Sequence, residues 1–160
     1  MDARAVWTSG KQFVGESGSG HALVMDAGAE ADGRNTGPSP VELLLISLAG
    51  CTGIDVVMIL RDKMKKPLTG LIVEVKGERA DVSPRVFTSL ELCYHARGPD
   101  LPLKDVVRAI QLSAEKYCSI SAMVEKTAHL RSRYELLDEA TGETFAGVIG
   151  TGSSGSSQGR

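Results

Sequence analysis

Three short stretches near the start of the chain, "ARAVW", "KQFVGE" and "HALVMD", have strand-like apolar spacing, and Gly10 and the "SGSG" run punctuate them. That punctuation predicts a small three-stranded meander. The polar, Gly-rich segment "AGAEADGRNTGPSP" that follows is expected to be mobile or to reach a partner. The pattern then changes period. From about Pro40 to Lys63 nearly every position is apolar, which predicts a helix buried on most sides. Its start has a physical signature: Ser39 can cap, Pro40 suits the first turn, and Glu42 sits three residues after the cap. Ser47, Cys51 and Asp55, spaced four apart, form one narrow polar stripe on this helix.

Two strand-like runs come next. In "LIVEVKGERA", Leu71, Val73 and Val75 alternate against Ile72, Glu74 and Lys76. In "RVFTSLELCYHA", Val86, Leu90, Leu92 and Tyr94 share one face, and Glu91, Cys93 and His95 the other. A second helix is predicted from about Leu103 to Lys126, with Val106, Ile110, Ser113, Tyr117, Ile120 and Val124 facing the core and Cys118 bordering that stripe. A last strand, "HLRSRYELL", ends the compact domain, residues 1–138. Residues 139–160 run into Gly and Ser and read as a flexible tail. The order of elements implies an α+β fold with a mainly antiparallel sheet and two substantial helices. A helix as apolar as the first needs cover on more than one side, more than one small sheet supplies, so a homodimer is expected.

Composition narrows the function. At 160 residues the chain fits one domain, and 42% hydrophobic with 24% charged residues is ordinary for a soluble protein. A net charge of -2 and 4% aromatic residues offer nothing to nucleic acid or to an anionic membrane. The opening "MDARAVWTSGKQF" has no apolar region of signal-peptide type. Residues 41–60 have the length of a membrane span, but two acids lie inside them with Gly50 and Gly53, so no membrane span is expected. Three cysteines without a signal segment fit a reducing cytoplasm. There is no CxxC, and Cys93-Tyr94-His95 brings only two ligands together, so neither a metal nor a cofactor is expected.

Cys51 and Cys118 each lie inside a predicted helix. If the helices pack, the thiols could face each other. A thiolate could then attack a peroxide, form a sulfenic acid and condense with the second thiol. The competing reading is that each is a small buried side chain that only packs. Cys93 reads as an incidental thiol on a polar strand face.

The segment "GPSPVELLLISLAGCTGIDVV", followed much later by "SAEKYCSISAMVEK", resembles the OsmC/Ohr family, and within it the YhfA-like branch, for which "SPxELLL…GCxxIDVVxIL" and "SAEKYCS" are typical. The resemblance covers residues 1 to about 137. It implies an intertwined homodimer, with antiparallel sheets wrapped around two long central helices and two equivalent sites near the interface. It also implies a cytoplasmic thiol peroxidase for organic hydroperoxides, with Cys51 attacking, Cys118 resolving, and a dithiol or lipoyl-type group as reductant. Two positions depart from the family pattern. The family's Glu, ten residues before the reactive cysteine, is here Val41; Glu42 lies nine before Cys51, half a helical turn away, where it suits the capping box. The family's hairpin arginine is missing, and Lys11 is the basic residue in that stretch, with Arg34, Arg79 and Arg85 as further cations. Asp55, one turn from Cys51, would raise the thiol's pKa if unpaired, or fix the helix if bonded. These departures count for an alternative, a non-catalytic dimeric protein binding a small apolar or thiol ligand; a redox sensor, needing the same disulfide but no fast reduction, is a further reading.

Overall fold

The computed structural model describes residues 1–149, and these divide into two compact units, residues 1–46 and residues from 47 onward. In the first unit, β1 (Ala3–Ser9), β2 (Gln12–Ser17) and β3 (Ala22–Met25) form the expected antiparallel meander. Gly10 and Gly20 take φ of 55° and 86° at its two turns, a left-handed conformation in which glycine is at ease. The Gly-rich segment after β3 is folded back on itself rather than merely polar. Asp26, 2% exposed, accepts from Thr36 Oγ1 at 2.7 Å, Thr36 N at 3.2 Å and Ala27 N at 2.8 Å, and these bonds hold its carboxyl below the usual range. One carboxylate thus satisfies donors from both ends of the loop.

Helix α1 (Pro40–Val57) begins where the capping pattern places it. Ser39 N and Oγ both donate to Glu42 Oε2 at 2.7 Å, and Glu42 N donates back to Ser39 Oγ at 3.3 Å. These bonds lower the Glu42 pKa. A carboxyl with a lowered folded pKa contributes its stability above the unfolded value of about 4.3, and loses it as pH falls through the folded value. Ser39→Ala should therefore cost about 1 kcal/mol at neutral pH. The difference from wild type should shrink as pH falls below the unfolded value and through the lowered folded one, as measured by urea unfolding across pH.

The second unit holds the four-stranded sheet β4 (Gly70–Arg79), β5 (Phe87–Gly98), β6 (His129–Asp138) and β7 (Thr144–Ile149), in that spatial order. β5 and β6 are parallel, and the helical crossover between them supplies the return path; the other pairings are antiparallel. The inner face of the sheet, with Leu90, Leu92, Tyr94, Ala96 and Leu136, is buried together with Val106, Ala109 and Ile110 of α2 (Leu103–Leu112). From α1 this unit buries Leu48, Thr52 and Val56, and the helix continues through a π-helical end, Met58–Lys63, that buries Ile59 and Leu60. Within Pro40–Lys63 an 18-residue window has a mean hydropathy of 2.3, and the helix is long enough to cross a bilayer, yet Thr52 and Asp55 within it are hydrogen-bonded to groups on β5 and after α2. Those bonds hold one face of the helix against the second unit's sheet and the segment after α2. The expectation of burial on most sides is not met within one chain, since only 28% of the apolar window is buried.

Two sequence expectations are corrected here. The second helix does not run unbroken to Lys126. After α2 the backbone widens into a π turn, Ser113–Tyr117, in which Cys118 N donates to Ser113 O at 2.8 Å; Cys118 itself is extended, and α3 (Ser119–Val124) restarts the helix. At the break the Ser113 hydroxyl bonds across to Asp55 and Thr52 of α1, at 2.9 Å each, and the Cys118 sulfur caps the restarted helix. Nor does order end at Asp138. A turn through Gly142 leads into β7, which pairs with β6 and buries Ile149; Phe145, Val148 and Ile149 are strand-favouring residues in a segment whose Gly/Ser-rich continuation obscures them. The rest of the expected tail, residues 150–160, lies outside the described residues.

Candidate functional site

Three donor atoms, the sulfurs of Cys51 and Cys118 and a carboxylate oxygen of Asp55, lie within 4.8 Å of one another. Helical spacing places Cys51 and Asp55 on one face of α1, and the π turn delivers Cys118 to meet them. The two thiols are free but differ in setting. Cys51 is half-buried, while Cys118 is 2% exposed. Cys118 caps α3, its Sγ accepting from Ser121 N at 3.4 Å. Burial pushes the Cys118 thiol up, the Ser121 bonds pull it back in part, and the neighbouring Cys51 raises it further. At neutral pH Cys118 is therefore held as the neutral thiol.

Beside the sulfurs runs a buried chain of hydroxyls that the sequence did not single out. Ser113 Oγ donates to Asp55 Oδ2 at 2.9 Å, Thr52 Oγ1 lies 2.9 Å from Ser113 Oγ, and Tyr94 Oη lies 2.7 Å from Thr52 Oγ1. Each hydroxyl has one proton, so the order runs one way: Tyr94 donates to Thr52, Thr52 to Ser113, and Ser113 to Asp55. Burial pushes the Tyr94 phenol up to about 12, which keeps it a donor at any physiological pH. Asp55 thus has a hydrogen-bond partner, and no ion pair reaches it among the described residues. The available signal was modest: Thr52, Ser113 and Tyr94 are hydroxyls at otherwise apolar positions.

The other candidates are engaged elsewhere. Glu42 closes the capping box. Lys11 donates to Ala31 O and faces Asp32 at 3.8 Å, and Arg34 donates to Ser9 Oγ, all within the N-terminal unit. Arg79 donates to Arg85 O at 2.6 Å and Arg85 to Ala80 O at 3.2 Å, which ties the β4–β5 turn. Cys93 lies on the polar sheet face, where burial and the charge of Glu135 raise its thiol. A cavity of about 300 Å³ opens between β5, β6 and the helices, lined by Tyr94 and Ser121 among others. Neither Cys51 nor Cys118 lines it, so the chemistry is read from the sulfurs and not from this cavity. Two thiols and a carboxylate at this spacing support thiol–disulfide exchange, and are also donors that a thiophilic cation would take.

Residues 33–132 match the family model described as "OsmC-like protein". The chain belongs to the OsmC-like family. It is 40% identical over 137 residues to Protein YhfA of Escherichia coli K12, covering 86% of this chain and 98% of that protein. A hypothetical protein from Aquifex aeolicus VF5 superposes with a TM-score of 0.76 at 28% identity, covering 86% of this chain and 96% of that one. An organic hydroperoxide resistance protein from Legionella pneumophila shares the fold, with a TM-score of 0.61 at 17% identity over 82% of this chain and 93% of its own. The α+β architecture is thus the OsmC-like one, in a family that includes proteins named for organic hydroperoxide resistance and whose members are typically dimeric.

Proposed function

We propose that this chain is a cytoplasmic, homodimeric thiol peroxidase for organic hydroperoxides. The observation that carries the reading is the pair of unequal thiols within 4.8 Å of each other, one half-buried and one sealed. Cys51, the more accessible, attacks the distal oxygen of R–O–O–H as its thiolate. The O–O bond breaks, ROH leaves once its oxygen takes up a proton, and Cys51 becomes a sulfenic acid. Cys118 then attacks that sulfur, water leaves, and a Cys51–Cys118 disulfide forms. A dithiol, of lipoyl or similar type, reduces the disulfide by exchange and is itself oxidised. Raising the Cys118 pKa suits the resolving role, since it keeps that sulfur from competing for the peroxide. The test is turnover: with dihydrolipoamide as reductant, cumene hydroperoxide should be consumed catalytically and faster than hydrogen peroxide. Oxidation that stops after one equivalent in the presence of dithiol would favour the redox sensor, which needs the same disulfide but no fast reduction.

Dimer formation is supported by exposed apolar side chains. Ile46 and Ile54 of α1 are 57% and 71% exposed in the single chain, and Val6, Trp7, Phe13, Leu23 and Val24 leave the N-terminal sheet uncovered. Sedimentation at micromolar concentration should give twice the chain mass, and Ile54→Arg should shift the protein toward the chain mass. A wild-type protein of single-chain mass would refute the dimer.

A further inference from the structure

The outward face of the four-stranded sheet collects donor groups that the thiol pair does not use. Cys93 on β5 stands opposite Glu74 on β4 and Arg133 on β6, and His95 stands opposite Glu135. Strand alternation puts all of them on the face away from the buried Leu92 and Tyr94. One donor atom each from Cys93, His95 and Glu135 lies within 4.8 Å of the others. They line a depression of about 130 Å³ together with Glu74, Lys76, Glu91 and Arg133.

The geometry points to a binding site for a borderline divalent metal ion, Zn²⁺ the best fit, held by Cys93 Sγ, His95 Nδ1 and a Glu135 carboxylate oxygen. It stands independently of the peroxidase reading. His95 Nδ1 lies 3.1 Å from Glu135 Oε2. Two ligands about 2.0–2.1 Å from a tetrahedral zinc stand about 3.3–3.4 Å apart, so these two atoms already hold nearly the required separation. The other ring nitrogen, Nε2, is shut off from solvent without a hydrogen-bond partner, and Glu74 Oε2 lies 3.5 Å from it. When Nδ1 gives its lone pair to a metal, the ring proton sits on Nε2, and Glu74 is the carboxylate placed to take it. This is the arrangement by which an outer carboxylate orients a metal-bound histidine.

Charge points the same way. Three carboxylates, Glu74, Glu91 and Glu135, face two cations, Lys76 and Arg133, and Arg133 is drawn to Glu91 at 3.7 Å. Glu74 and Glu135 remain beside the histidine against Lys76 alone, a surplus of one negative charge. A sulfur, an imidazole and a carboxylate together suit zinc and disfavour calcium or magnesium, which prefer oxygen alone. Three protein donors on a half-exposed rim leave a fourth position for water or an exchangeable ligand. Sequence spacing hid the site because Cys93 and His95 supply two donors, and the third, Glu135, lies 40 residues on and arrives through the parallel pairing of β5 with β6.

The test is a Co²⁺ titration of the full chain carrying Cys51→Ser and Cys118→Ser, which leaves Cys93 as its only thiol. One Co²⁺ per chain should bind with thiolate-to-cobalt charge-transfer absorption that Zn²⁺ displaces. Adding Cys93→Ser should abolish the absorption, and Glu135→Gln or Glu74→Gln should weaken binding at least about ten-fold. In the unsubstituted protein, which needs no folding control, Zn²⁺ should slow alkylation of Cys93 at least ten-fold, mapped by mass spectrometry. Absence of the charge-transfer absorption together with unprotected Cys93 overturns the site, as does binding that Cys93→Ser and His95→Gln leave unchanged.

Discussion

A Cys51→Ser chain should consume cumene hydroperoxide no faster than buffer does, a loss of at least about 10³-fold on the scale seen when a covalent enzyme loses its nucleophile. The reason is the asymmetry of the two sulfurs. With Cys51 gone, the remaining sulfur of the pair is 2% exposed and its pKa is raised, so a peroxide from solvent meets little of it and little of its thiolate. Cys118→Ser should behave differently. The first oxidation survives, because Cys51 keeps its setting on α1, but the sulfenic acid has no partner and persists or passes to the irreversible sulfinic acid. Trapping with dimedone should therefore label Cys51 in Cys118→Ser and give little label in wild type. Equal peroxide consumption by Cys51→Ser and wild type would remove Cys51 from the chemistry.

Thr52→Val should be the most costly conservative change near the site, about 1–3 kcal/mol. Valine keeps the shape of threonine but removes the oxygen that accepts from Tyr94 and the proton that Ser113 receives. Tyr94 is 1% exposed, so its hydroxyl would lose its Thr52 partner in a buried setting, where an unmade hydrogen bond is costly. Tyr94→Phe removes that donor outright and should cost less, because an empty acceptor on Thr52 is cheaper than an orphaned donor. Urea unfolding at fixed protein concentration measures both, and unchanged m-values identify the effects as native-state ones. Equal losses for the two variants would mean that the hydroxyl chain is not the ordered relay inferred from its distances.

The sequence was most legible where local patterning and tertiary packing ask for the same thing. Alternation in β4 to β6 and the Ser39–Glu42 spacing at the start of α1 each had one satisfactory structure, and each formed. Cys51 and Cys118 were also legible, since thiols inside apolar helical stretches stand out and the motif resemblance pairs them. The break at Cys118 was not. Helical spacing continues across it, and only the π turn, a product of how Ser113 packs against Thr52 and Asp55, stops the helix there. Thr52 and Tyr94 were missed for a related reason. A hydroxyl among apolar neighbours reads as tolerated until the structure supplies its partner. β7 is hidden by the Gly/Ser-rich composition of the tail, although Phe145, Val148 and Ile149 favour a strand and pairing with β6 is enough to form one.

The most direct measurement is the fate of the thiols after one equivalent of cumene hydroperoxide is added to the reduced protein, mapped by mass spectrometry over seconds to minutes. The account predicts a Cys51–Cys118 disulfide, formed faster than with one equivalent of hydrogen peroxide, with Cys93 still free. Cys51 and Cys118 both remaining free over minutes would contradict it.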